Sequence, residues 1–96
     1  MYKLYFEGQT TKLQRSDVIC LETTPSGGSL ITFMRKKDDD IHYTPMTRIP
    51  NGDQKFLLYG MQEMGFRKFS ALLAAAVGLS IKEITLNANY EYFEFV

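Results

Sequence analysis

The sequence predicts a single α+β domain, mostly antiparallel sheet, with two short helices packed on one side. Three observations predict it. Apolar residues alternate with polar ones through much of the first half of the chain and again near its end, the period of a half-buried strand. Pro25-Ser26-Gly27-Gly28 and Asp38-Asp39-Asp40 interrupt that alternation with turn residues. Between residues 56 and 77 the apolar positions shift to the spacing of a helix face. With 96 residues the chain has the length of one domain, taken as 1–96. The expected order is β-β-β-β-α-α-β, about five strands.

Each element has its own warrant. Met1–Gly8 places Tyr2, Leu4 and Phe6 on one side and Lys3, Tyr5 and Glu7 on the other, a half-buried strand ending at Gly8. Gln9–Lys12 is a polar turn. Leu13–Thr24 gives the next strand, with a bend near Ser16 where Asp17 can accept backbone hydrogen bonds. Ser29–Lys36 and Asp40–Thr44 continue the meander on either side of the charged tip Arg35–Asp40. Pro45 and Pro50 bracket a short irregular stretch. Asn51-Gly52-Asp53 starts a helix whose face is Phe56, Leu57, Gly60, Met61 and Met64, and Gly65 ends it. A second helix runs over Phe66–Val77 with Phe69, Leu72, Leu73, Ala76 and Val77 on its stripe, stopped at Gly78. From Ser80 to Val96 alternation returns: Ile84, Leu86, Ala88, Tyr90 and Tyr92 share one side of a long strand, Phe93 and Phe95 the other.

Composition narrows the function classes. Eleven basic and eleven acidic residues leave no net charge. A general polyanion binder carries a basic excess, so contacts to a polyanion would need a local patch. Seven Phe and six Tyr supply core and contact area. Cys20 is the sole cysteine and sits between Ile19 and Leu21, the setting of a buried structural thiol. No basic segment precedes an N-terminal apolar stretch, and no apolar run approaches ~18 residues. The expected location is cytoplasmic, with no membrane partner.

Catalytic signals are weak, and no enzyme activity, cofactor or metal is expected. His42 is the only histidine, on an expected strand, with no nucleophile and orienting group fixed beside it by spacing. Asp38–Asp40 lacks the spacing of a calcium loop. Gly27-Gly28 reads as turn chemistry rather than a phosphate loop. Ala74, Gly78 and Ile84 fit the small–turn–hydrophobic spacing of a helix-turn-helix, although the period-two pattern after Ser80 opposes a recognition helix there.

Two segments resemble a known family. Ser16-Asp17-Val18-Ile19-Cys20-Leu21-Glu22 is similar to the acidic–apolar–Glu strand of LytTR-type DNA-binding domains, and Phe66–Ala74 followed by Ile81-Lys82-Glu83-Ile84 resembles that family's Phe-x-Arg-x-His-x-Ser segment and Ile-Lys-x-Ile strand. Phe69, Ala71 and Ala75 stand where the family carries polar contact residues. The resemblance implies a regulatory module that binds duplex DNA through strand-connecting loops. Ser26, Ser29, Arg67 and Ser70 occupy the matching contact regions, and Lys68 and the Arg35, Lys36, Lys37 tip would add phosphate contacts by charge. The alternative is a small protein-interaction module, an adaptor or inhibitor, that pairs with another chain or with itself. Its contact surface would be the aromatic C-terminal strand Tyr90–Phe95 if that strand is left at a sheet edge; the other reading, an ordinary core strand, is slightly favoured.

Overall fold

A computed structural model describes residues 13–36, 43–45 and 51–96. The expected strand Met1–Gly8, the turn Gln9–Lys12, Lys37, the Asp38–Asp40 reversal, His42 and the stretch before Asn51 lie outside the described residues. Within them the order is β1 (Val18–Thr23), β2 (Ser29–Lys36), β3 (Tyr43–Pro45), α1 (Asn51–Met64), α2 (Phe66–Ala75), β4 (Ile81–Ile84) and β5 (Glu91–Phe95). The strands form one antiparallel sheet in the order β3-β2-β1-β5-β4, and the chain is a single α+β domain.

The β1–β2 hairpin follows its turn chemistry. Gly27 N–H donates to the Thr24 carbonyl at 2.9 Å, and Thr24 N–H donates to the Gly28 carbonyl at 2.8 Å. Gly27 has φ 85°, the left-handed conformation that closes a three-residue hairpin with a bulge. Thr24 Oγ1 accepts a further bond from Gly28 N–H at 3.0 Å. The paired register then sets Ile19 opposite Phe33 and Leu21 opposite Ile31 on one face. Val18 and Cys20 fall on the other, opposite Met34 and Thr32.

β1 starts at Val18 rather than at Leu13. The preceding residues form the bend that the sequence placed near Ser16, which takes φ 77°. The buried Asp17 carboxylate accepts Gln14 N–H at 2.8 Å, and Asp17 N–H donates to the Gln14 carbonyl at 3.1 Å. A side-chain acceptor and a left-handed residue remove these positions from the ladder.

The helices cover the sheet face carrying Ile19, Ile31, Phe93 and Phe95, which join Leu57 of α1 and Phe69, Leu73 and Ala74 of α2 in one core. Gly65, with φ 84°, separates the helices: its N–H caps α1 at the Met61 carbonyl, 2.7 Å, and its carbonyl accepts Phe69 N–H at 3.0 Å. Gly60 lets α1 rest directly on Phe69, because a Cβ there would lie 2.8 Å from the Phe69 ring. The buried stripe of α2 is Phe66, Phe69, Ser70, Leu73 and Ala74. It is rotated from the expected one, so Leu72 stands 45% exposed and Ala76 lies on the surface. α2 ends where Gly78 N–H meets the Ala75 carbonyl and Leu79 N–H the Ala74 carbonyl, with Gly78 at φ 74°. That paired closure is the Schellman pattern, which needs a left-handed residue.

The C-terminal region corrects the expectation of one long strand. It is a hairpin, β4 paired with β5 from Ile81↔Phe95 to Ile84↔Tyr92. The reversal is local: Asn87 Oδ1 accepts Asn89 N–H at 3.0 Å, and the Asn87 carbonyl accepts Tyr90 N–H. Ile81–Ile84 is therefore a strand, not the start of a recognition helix. The expected facing survives the fold-back. Ile84, Tyr90 and Tyr92 gather with Val18 and Cys20 on the face away from the helices, while Phe93 and Phe95 enter the core.

Candidate functional site

Of the described residues expected to contact DNA, the hairpin-turn serines and the Arg35–Lys36 pair lie at opposite ends of β2. Ser26 and Ser29 belong to the hairpin turn, where Ser26 Oγ lies 3.1 Å from Thr24 Oγ1. Lys36 ends β2, paired with Tyr43, about 23 Å from Ser29 at strand rise. Arg35 is committed to Asp17 by two bonds of 2.9 Å, and this hydrogen bonding raises its already high pKa. Arg67 and Lys68, in the first turn of α2, are exposed. The Arg67 guanidinium reaches Glu83 Oε2 of β4 at 2.9 Å and lies 5.2 Å from the Phe93 ring centroid. Ser70 is a correction. It is fully buried on the core side of α2, and its Oγ has no hydrogen-bond partner, so it cannot reach a ligand.

Of the two readings of the aromatic strand, sheet edge or ordinary core strand, the structure shows the core strand. β5 lies between β1 and β4, and its backbone is used on both sides. Phe95 N–H donates to the Asp17 carbonyl and its carbonyl accepts Ser16 N–H, both toward β1. Strand order is set by long-range pairing, which period-two patterning does not encode.

Among the described residues the sheet ends on β3 at one side and on β4 at the other. Ser80 and Val96 exchange two hydrogen bonds of 2.9 Å. Antiparallel ladders alternate bonded and non-bonded pairs, so Lys82↔Glu94 and Ile84↔Tyr92 are bonded, while Ile81↔Phe95 and Glu83↔Phe93 are not. The N–H and C=O of Ile81 and Glu83 therefore point outward, away from β5. Among the described residues nothing pairs with them. Lys82 is exposed and Ile84 half-buried on the face away from the helices. On the helix side Glu83 is 68% exposed and held by Arg67.

The far sheet face carries a second grouping. Cys20 stands opposite Tyr92 on β5, with Glu22 two residues along β1. Burial pushes the Cys20 thiol up to about 11, with Glu22 adding in the same direction. Burial raises Tyr92, and hydrogen bonding to Glu22 raises Tyr90. A buried, protonated thiol beside a tyrosine is a poor nucleophile. Among the described residues no three His, Cys, Asp or Glu side chains gather into a metal-binding group, and no helix is long and apolar enough to cross a membrane.

The signal missed in the sequence was Asn87-Ala88-Asn89. Two asparagines flanking a small residue mark a turn, and a turn there creates β4 as a separate strand. Comparison with protein-family models, curated proteins and solved structures finds nothing that matches this chain.

Proposed function

We propose that this chain is a small protein-interaction module that takes an extended segment of another protein along the outer edge of β4, without duplex DNA as its ligand. The observation that carries this reading is the set of outward backbone groups at Ile81 and Glu83 on a terminal strand. Such groups hydrogen-bond an added strand, and alternate side chains then select it. The charges argue the same way. Arg35 is neutralised by Asp17 and Arg67 by Glu83, so two of the four described cations put forward for phosphate contact already have a carboxylate partner.

Two measurements test this. In cells, a photo-crosslinking side chain at position 82 should capture a partner protein, and one at the exposed position 55 on α1 should not. Glu83→Pro should abolish capture while Glu83→Ala keeps it, because proline at an outward position removes only the edge donor. Capture insensitive to Glu83→Pro overturns the reading. So does duplex DNA binding that weakens steeply between about 50 and 200 mM salt and falls with Arg67→Ala and Lys68→Ala.

A further inference from the structure

Resting on that reading, we infer that the strand taken up by β4 comes from a different protein rather than from the β4 edge of a second copy of this chain, and that it places an acidic residue opposite Lys82 with an apolar residue opposite Ile84.

Self-pairing of β4 about a two-fold axis is disfavoured in each register the edge allows. Outward residues must face outward residues, so Ile81 and Glu83 pair only with one another or with themselves. If Ile81 faces the copy's Glu83, Lys82 lies directly opposite its own copy. If Glu83 faces its copy, two carboxylates meet, each already bound to its own Arg67, and each Lys82 faces the copy's Ile84, which offers it no counter-charge. Like charges directly opposite destabilise a ladder. The favourable Lys82–Glu83 match is unreachable, because these side chains lie on opposite faces and a one-residue slip does not bring them together. Centring on Ile81 asks Leu79 to bond outward, but its N–H is already given to the Ala74 carbonyl at 2.9 Å. Centring on Ile84 needs Thr85 and Leu86, where the chain leaves the strand for the turn.

The same four residues specify a foreign strand. Lys82 and Ile84 are the positions at which an added antiparallel strand makes non-hydrogen-bonded pairs, whose side chains lie closest. Lys82 is exposed, and on its own sheet it neighbours Glu94 across the ladder. A guest carboxylate there completes a row of alternating charge. On the helix side Glu83 already has Arg67, so a small hydroxyl residue opposite it suffices, and Ile81 takes an apolar neighbour. Read N to C, the guest is apolar–hydroxyl–acidic–apolar.

The test uses two short capped peptides on the full chain, one built on Val-Thr-Glu-Val and one on Val-Thr-Lys-Val, followed through the backbone amide signals of Ile81 and Glu83. The glutamate peptide should bind about three- to tenfold more tightly. Lys82→Glu should invert the order, and the protein should sediment without a dimer that Glu83→Pro dissolves. Equal affinities, or no inversion in Lys82→Glu, overturn the partner chemistry while leaving the edge as a docking site. A dimer dissolved by Glu83→Pro overturns the exclusion of a second copy. If neither peptide moves the Ile81 and Glu83 amides, the edge reading itself falls, and this inference with it.

Discussion

Arg35 holds Asp17 in a fork: Nε donates to Oδ1 and Nη2 to Oδ2, both at 2.9 Å. The pair joins the far end of β2 to the bend that precedes β1. Asp17 is 2% exposed and the Arg35 side chain 39%, so one charge is buried and the other reaches water.

Removing the guanidinium leaves a buried carboxylate with only the Gln14 N–H for support. Arg35→Ala should therefore destabilise the fold by about 2–3 kcal/mol in urea denaturation, below the range of a fully buried pair because Arg35 is partly solvated. Arg35→Lys keeps the charge but not the fork, and should recover less than half of the loss. Wild-type stability in Arg35→Ala would show that the bend holds without the pair.

Ser70 offers the opposite sign. Its hydroxyl is buried without a partner in the middle of α2. Ser70→Ala removes the orphaned group and adds helix propensity, and should stabilise the protein by about 0.5–1.5 kcal/mol. Thermal unfolding reads this directly, and a fall in midpoint would mean that the hydroxyl has a partner in solution.

Cys20 sets a pH dependence. Its folded-state pKa is raised from 9.0 to about 11, so the native state holds the proton more tightly than the unfolded chain. The corresponding stability is fully present below pH 9 and is lost as pH rises toward 11. Tyr90 and Tyr92 are shifted in the same direction and contribute at the alkaline end. Cys20→Ala should flatten the decline between these limits in denaturation titrations. Alkylation of the native thiol at pH 8 should be slow and should accelerate on unfolding. Rapid labelling of the folded protein would contradict the burial.

Local chemistry made much of the fold legible. Pro25–Gly28 specifies its own hairpin, Gly65 ends α1, and Gly78 closes α2, each through a residue with a defined backbone preference. Asp17 announced its bend because a short carboxylate is a natural acceptor for nearby amides. What escaped was non-local. The alternation of Ile84, Leu86, Ala88, Tyr90 and Tyr92 runs unbroken through the Asn87 turn, so it concealed a reversal. A strand and a tight hairpin with arms of matching parity share the same pattern. The burial of Ser70 depends on the azimuth of α2, which is set by its packing on the sheet and α1 and not by the apolar period alone. The β4 edge depends on strand order, and Tyr90–Phe95 carries the aromatic character of an edge partner while lying inside the sheet.

The insertion of β5 between β1 and β4 has a kinetic consequence. Val18 meets Glu94 across the middle of the sheet, so the central seam joins segments separated by nearly the whole described chain. The two hairpins flanking it are local and inexpensive in loop entropy, but the seam unites them only after β3, α1 and α2 have been traversed. Until that closure, Ile19 and Phe93 each lack the neighbour strand that shields them. The slow step of assembly, and the exposure of apolar surface that accompanies it, is concentrated at this one junction.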